Sequence, residues 1–290
     1  MTLEQLRIFI AVAEREHVTH AAEAMNITQS AASGAIAALE ARHGVALFHR
    51  VGRRIELTEA GQMFLVEARA VLGRVAAAEQ ALADFGEMKR GSLRLVASQT
   101  IASYWLPRHL ATFHARYPQI AVELAIDNTD GAAKRVVDGS AELGFVEGTV
   151  EAPTLAQWVV AKDRLTLIAA TDALRIDAAW VRAATWIVRE QGSGTRSSFE
   201  DVLRVRGIEP TELCIGMTLP SNEAIRTAVE AGAGVAVLSH LVVAQAIDAG
   251  KLIKLPLDLP ERFFRALRHK ERYRSRAADA LATLLKEQAK

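Results

Sequence analysis

The sequence predicts an α/β protein with an all-α-plus-wing head, and three observations predict it. Residues 18–57 read as two short helices separated by a tight break and followed by two short alternating strands, a winged helix-turn-helix. Residues 59–90 then carry apolar side chains spaced alternately by four and three, the pattern of one long helix with a single seam. From Gly91 onward strand-like and helix-like segments alternate, as in an α/β domain.

The first helix follows from Leu3, Leu6, Phe9 and Ala13, a stripe at helical spacing. Thr19 suits the N-cap of the second helix, whose buried side is Ala22 and Met25, while Ala32, Ile36 and Leu39 bury the third. This leaves Gln29, Ser30 and Ser33 facing outward around the third helix's first turn, with side chains small enough to enter a DNA major groove, and Thr28 just before them is a further candidate DNA contact. Gln29 carries an amide that can pair with adenine through two hydrogen bonds, and the hydroxyls can reach bases or phosphates. Gly44 suits a left-handed helix C-terminus. Residues 47–50 and 54–57 alternate as strands around a turn at 51–53. The formal net charge is only +1, and up to Ala60 six arginines face seven carboxylates. Placement matters more than the total: Arg50, Arg53 and Arg54 fall within this one hairpin.

Thr58 is the expected N-cap of the linker helix, and Phe64, Ala68, Val71, Val75, Ala78, Leu82 and Phe85 share one heptad register. That register predicts a coiled-coil seam and a homodimer. In the remaining chain, strands are expected at 92–97, 120–126, 143–146, 164–170, 185–188, 215–218, 235–239 and 262–268, with helices between most of them and a last helix from Ser275. The charge run 262–276 is expected to be the solvated side of a strand and loop, with a second nucleic-acid patch as the alternative. The one cysteine, Cys214, excludes an internal disulfide, suits a reducing compartment, and reads as a buried strand thiol.

Pockets in α/β sheets form at the carboxyl ends of strands. The strongest candidate there is Arg189-Glu-Gln-Gly192-Ser193-Gly194-Thr195-Arg196, a strand end, a glycine loop and a helix start whose backbone N–H groups can cradle an anion. Ser98, Gln99 and Thr100 end another strand, Ser221 and Asn222 precede a third helix, and Asn128, Thr129 and Glu147 also stand just past strands. A glycine loop alone reads equally well as an ordinary turn, and Asn128, Thr129 and Glu147 equally well as turn and capping residues.

The N-terminal residues resemble the LysR-type transcriptional regulators. The resemblance rests on Leu6-Arg-Ile-Phe9, Ala11-Val-Ala-Glu14, Thr19 with Ala21-Ala22, Thr28-Gln-Ser-Ala31, Ser33, Ile36, Leu39-Glu40, Gly44, Leu47-Phe48 with Arg50, and Leu57-Thr58 with Ala60-Gly61. It implies a DNA-binding domain at 1–58 (helix-turn-helix about 18–37), a dimerising linker helix at 59–90, and an effector-binding domain at 91–290. That domain would consist of two subdomains resembling periplasmic binding proteins, 91–161 with 263–290 and 162–262, the chain crossing near 160–163 and 260–263. Thr19 and His20 join the candidate DNA contacts, although His17 and His20 replace a serine and a basic residue usual there, and His43 stands where leucine is usual. The Gly-Ser-Gly-Thr-Arg loop looks like that of the family's carbon-fixation and sulfur-assimilation regulators.

The expected function is therefore sequence-specific promoter binding modulated by a small, anionic effector, with no other cofactor and no metal. Double-stranded DNA, a second copy of the chain in a dimer or tetramer, and RNA polymerase are the candidate partners. A cytoplasmic solute-binding protein is the alternative, since the last two-thirds alone would suit that role. An enzyme is not expected: the eight histidines include no His-Glu-x-x-His pair, and no Gly-x-Ser-x-Gly elbow occurs. No stretch has signal-peptide or membrane-span character, so a cytoplasmic location is expected.

Overall fold

The computed structural model describes residues 1–51, 54–84, 91–148, 150–172 and 175–288, with the side chains of Arg50, Val51, Arg54, Gln80, Ala83 and Asp84 outside the description. The chain divides into two compact units, one built on Met1–Leu82 and the other on Ala83–Val136 with Ala141–Lys290. Among the described residues no helix is long and apolar enough to cross a membrane.

The first unit contains α1 (Leu3–Arg15), α2 (Val18–Ala24), α3 (Gln29–His43), a hairpin of β1 (Phe48–Val51) and β2 (Arg54–Leu57), and α4 (Glu59–Asp84). Thr2 and Gln5 close a capping box at α1, and the left-handed Glu16 ends it. Asn26, also left-handed at φ 55°, makes the tight break between α2 and α3, and Ile27 N donates to Ala22 O at 3.0 Å across it. Gly44, at φ 66°, ends α3 as its sequence position suggests. The Thr58 hydroxyl accepts from Gly61 N at 3.0 Å and starts α4. Gly61 is required there, because a Cβ would stand 2.1 Å from the Leu47 carbonyl oxygen.

One expectation for this unit is corrected, and a second is narrowed. The N-cap of α2 is His17, not Thr19: His17 is extended, its Nδ1 accepts from His20 N at 3.4 Å, and the two rings stack with centroids 4.0 Å apart. Thr19 lies inside the helix with an exposed side chain. The heptad register of α4 also begins inside the head's own core. Ala68 is buried in the head core with Leu6, Phe9, Val12, Ile36 and Leu39, and Phe64 packs against that core, its ring 4.8 Å from Phe9. The first two seam positions thus serve their own domain. Further along, Val71 is 38% and Leu82 75% exposed, while Phe85 lies outside the described residues.

In the second unit, β3 (Gly91–Ser98) pairs in parallel with β4 (Ile120–Asp127) and β5 (Leu143–Glu147). A π-helical turn, Ile101–Trp105, leads into α5 (Leu106–Arg116), and α6 (Thr129–Asp138) follows β4. The fifteen-residue β6 (Leu155–Ala169) is longer than its sequence signal, and β11 (Glu261–His269) runs antiparallel to it. Residues of β6 up to Arg164 pair with β11, and those from Leu165 pair with β9 (Ala236–Ser239) or β10 (Ile253–Lys254). One strand therefore belongs to two subdomains, and β6 and β11 form the double crossing. The second subdomain adds α7 (Ala178–Ala183), β7 (Thr185–Arg189), α8 (Gly194–Val205), β8 (Cys214–Leu219), α9 (Asn222–Glu230) and α10 (His240–Asp248). The final helix, α11 (Arg276–Gln288), packs in the first subdomain's core with Trp105, Phe113, Phe145 and Phe264. A separate core around Trp186, Phe199, Val202 and Leu203 holds the second.

Cys214 is exposed, against the sequence expectation. Among the described residues its strand β8 pairs only with β7, so Ile215 and Met217 beside it also stand 42% and 44% exposed.

Candidate functional site

In the head, the candidate base-reading residues open α3. The Thr28 hydroxyl caps the helix by accepting from Ala31 N at 3.2 Å, and it lies 3.0 Å from the Ser30 hydroxyl. Gln29 and Ser30 are exposed, and the Gln29 amide donates to the Ser33 hydroxyl at 3.0 Å. The capping residue fixes the helix start, and the two residues after it present donors and acceptors to solvent. His20 is likewise exposed beside α2's start. The backbone of the hairpin pairs as expected, Arg50 opposite Ile55. Arg53 and the side chains of Arg50 and Arg54 lie outside the description.

In the larger unit, the strand ends of the two subdomains meet. Gly192 has φ +81°, a conformation that favours glycine, and a Cβ there would meet the side chains of Asp130 and Asn128 at 3.0 and 3.1 Å. A Cβ on Gly194 would lie 2.5 Å from the Thr129 hydroxyl and 2.8 Å from the Glu147 carbonyl. The glycine loop is thus pressed against the ends of β4 and β5. Asn128 Nδ2 donates to Gln191 O at 3.2 Å, and Asp130 N to Gly192 O at 3.3 Å. Ser193 and Thr195, at the start of α8, are 3% and 2% exposed.

A second set of contacts ties β3 to α9. Asn222 Nδ2 donates to the Thr100 hydroxyl at 3.0 Å, and Asn222 N donates to Gln99 Oε1 at 2.8 Å. Gln99 Nε2 donates to Glu223 at 2.7 Å and lies 3.3 Å from the Ser221 hydroxyl, which caps α9 by accepting from Ala224 N. Glu223 also accepts from the Tyr104 hydroxyl at 2.9 Å. Burial pushes that phenol up, and the Glu223 hydrogen bond and charge push it further. Gln99 and Ser221 therefore work mainly on each other and on α9. Ser98 differs: its hydroxyl is buried and has no hydrogen-bond partner among the described residues.

Arg196, a candidate anion ligand, is engaged within its own subdomain, with Nε donating to Glu200 at 2.7 Å and Nη1 to the Arg189 carbonyl at 3.0 Å. At (i, i+4) on α8, pairing with Glu200 is the local geometry any such helix offers. Arg189 is the guanidinium that faces the converging residues. It is 5% exposed, and Nη1 donates to Asn222 Oδ1 at 2.7 Å, extending the relay Arg189–Asn222–Thr100 across both subdomains. It was visible as the last residue of the strand before the glycine loop.

Arg262 is not on a solvated face, as its charge run suggested. It is 6% exposed on β11 directly opposite Asp163 on β6, with Nε donating to Asp163 at 2.6 Å and Nη1 to the Thr195 hydroxyl at 3.1 Å. Its Nη2 stands 3.8 Å from the Glu147 carboxylate, and Asp163 also accepts from the Ser239 hydroxyl at 2.7 Å. The crossing strands thus carry a buried ion pair joined to Glu147, to the start of α8 and to the end of β9. Among the described residues no group of three or more His, Cys, Asp or Glu side chains gathers to hold a metal.

Residues 3–62 match the family model "Bacterial regulatory helix-turn-helix protein, lysR family", and residues 86–290 match "LysR substrate binding domain". The Escherichia coli K12 protein named "Uncharacterized HTH-type transcriptional regulator YeiE" is 34% identical over 96% of this chain and 94% of its own length. A "Probable RuBisCO transcriptional regulator" of Thalassiosira pseudonana is 33% identical over 85% of this chain and 84% of its own. The crystal structure of CbnR, a LysR family transcriptional regulator, shares the fold over 100% of both chains at TM-score 0.70 and 24% identity. With a DNA-reading head, a two-subdomain effector domain and these matches along nearly its whole length, the chain belongs to the LysR family of DNA-binding transcriptional regulators.

Proposed function

We propose that this regulator reads its promoter through Gln29, Ser30 and Ser33 with Thr19, His20, Thr28 and the wing arginines as backbone contacts, and that a small anion in the cleft between the subdomains modulates that binding. The observation that carries the effector assignment is the convergence of Thr100, Arg189 and Asn222 from a strand end and a helix start of both subdomains, with Ser98 and Ser193 buried at a neighbouring strand end and helix start. The buried, unpartnered Ser98 hydroxyl is a donor in want of an acceptor. The first-turn N–H groups of α8 add donors and the positive end of a helix dipole.

Binding between two subdomains joined by β6 and β11 changes their closure, and a ligand shifts that equilibrium by its differential affinity for the two states. A coupling of about 1–3 kcal/mol is enough to alter promoter occupancy. A dimer formed through the outer part of α4, assembling to a tetramer, and a contact with RNA polymerase complete the proposal, with action in the cytoplasm where the promoter lies. The glycine-loop motif and the RuBisCO-named relative favour a carbon-metabolism regulon.

The experiment is a thermal-shift screen of small carboxylates, phosphates and sulfur oxyanions on the full-length protein. A true effector at a hundred times its dissociation constant should stabilise by about 2.7 kcal/mol. Thr100→Val removes one hydroxyl with little change of shape, so it should weaken that effector while effector-free DNA binding stays intact. A neutral, apolar best ligand, or equal binding to the Thr100→Val protein, would refute the assignment.

A further inference from the structure

Arg189 is already occupied. Its Nε donates to Glu190 Oε2 at 2.8 Å and its Nη2 to Glu190 Oε1 at 2.9 Å, a bidentate pair between sequence neighbours. Within a strand adjacent side chains point to opposite faces, so such a pair needs the chain to leave the strand between them. β7 ends at Arg189, and the turn that follows, with Ser193 N donating to Glu190 O, brings the carboxylate back over the guanidinium. Bidentate carboxylate–guanidinium contact is the geometry by which an arginine recognises a carboxylate or phosphate ligand. The protein's own side chain therefore fills the position a ligand anion would take.

The same loop is clasped from the other subdomain. Asn128 Nδ2 donates to Gln191 O, and Asp130 N donates to Gly192 O. Burial raises the Glu190 carboxyl, but the hydrogen bond and charge of Arg189 outweigh it, helped by its own backbone and Asn128, and hold it below the ordinary carboxylate range. The competitor is an ionised one.

Resting on the reading of this cleft as the effector site, we infer that Glu190 is a built-in occupant of the anion position on Arg189, and that a carboxylate or phosphate effector binds by exchange with it. The exchange frees a loop that Asn128 and Asp130 hold against the first subdomain, which links ligand entry to closure. An internal occupant lowers apparent affinity by the fraction of molecules it leaves open, so an occupancy of nine-tenths or more costs about tenfold or more.

The test is calorimetric titration of the full-length protein with inorganic phosphate and with acetate, comparing wild type, Glu190→Gln and Thr100→Val. The expected result is at least about tenfold tighter binding of either probe to Glu190→Gln, which keeps the side chain's shape but removes its charge. Equal or weaker binding to Glu190→Gln, or no binding of either probe to it, overturns the exchange. Probe binding that falls with Thr100→Val but ignores Glu190→Gln leaves the site and removes the competitor. Tighter binding to Glu190→Gln alongside unchanged binding to Thr100→Val removes the site itself. If Glu190→Gln melts too low to titrate, Glu190→Asp, too short for the bidentate contact, replaces it with the same expected direction.

Discussion

Arg262→Met is the perturbation whose cost the structure specifies best. The Arg262 side chain is 6% and its Asp163 partner 1% exposed, so neither charge is solvated, and Glu147 beside them is 2% exposed. Methionine fills much of the arginine stem's volume but leaves the buried Asp163 and Glu147 carboxylates without their shared cation. Removing one partner of a buried pair costs about 3–5 kcal/mol, because the remaining charge keeps its desolvation penalty. At about 2–4 °C per kcal/mol for a domain of this size, the melting temperature should fall by roughly 6–20 °C. Asp163→Asn in the Arg262→Met background should recover part of the loss, since the neutral amide no longer needs a counter-charge and can still bond Ser239. The assay is urea unfolding of the four proteins of the cycle, read at equilibrium. A loss under about 1 kcal/mol for Arg262→Met, or strict additivity of the two changes, would show that the pair is not a coupled buried unit.

Gln29→Ala should cost about 1–3 kcal/mol on the specific promoter site and leave random-sequence binding unchanged, as measured by band shift on both duplexes. Equal losses would remove Gln29 from base reading. Val75→Asp should shift the protein toward monomer in sedimentation and lose promoter affinity, because a charge in the outer part of the α4 seam would be desolvated on pairing. His109 should make stability depend on pH. Burial holds its pKa below the ordinary 6.5, with the Gln288 hydrogen bond opposing and the Arg108 charge assisting. The unfolded chain then binds more protons, so this contribution is complete above about pH 6.5 and is lost as pH falls below it. Thermal melts on either side of that value should show the loss in wild type and less of it in His109→Gln, which carries no titrating ring.

The head was legible because its determinants are local. Caps, a left-handed Asn26 and Gly44, and apolar spacings of three and four fix α1 to α3 within a few residues of the chain. Where a cap was misassigned, the reason is chemical: propensity favours Thr19, but His17 Nδ1 supplies an acceptor that a propensity argument does not weigh. The seam of α4 misled for a different cause. A heptad register says that a helix face is apolar, and Phe64 and Ala68 show that the covering surface can be the chain's own core. Half of β6 went unseen because residues 155–163 alternate poorly, being paired to β11 on a partly exposed sheet.

The cleft was legible in its backbone features and illegible in its charges. Glycines and strand ends mark where chains approach closely, and the Gly192–Gly194 loop does press against Asn128, Thr129, Asp130 and Glu147. Which guanidinium faces the cleft depends on side-chain direction, and spacing in sequence carries little of that. Arg196 sits beside the glycine loop yet is claimed by Glu200 one helical turn on, while Arg262 lies in a run of basic residues yet is claimed by Asp163 on another strand. In each case the partner carboxylate decides, and it is found from three-dimensional pairing: an (i, i+4) contact for one, a strand register for the other. Arg189 and Arg262 each face a carboxylate, so on the effector reading proposed above an anion would enter where the ion pair is least costly to break. Glu190 is that partner by position, being on a loop and more exposed, at 27%, than Asp163 at 1% or Glu200 at 16%.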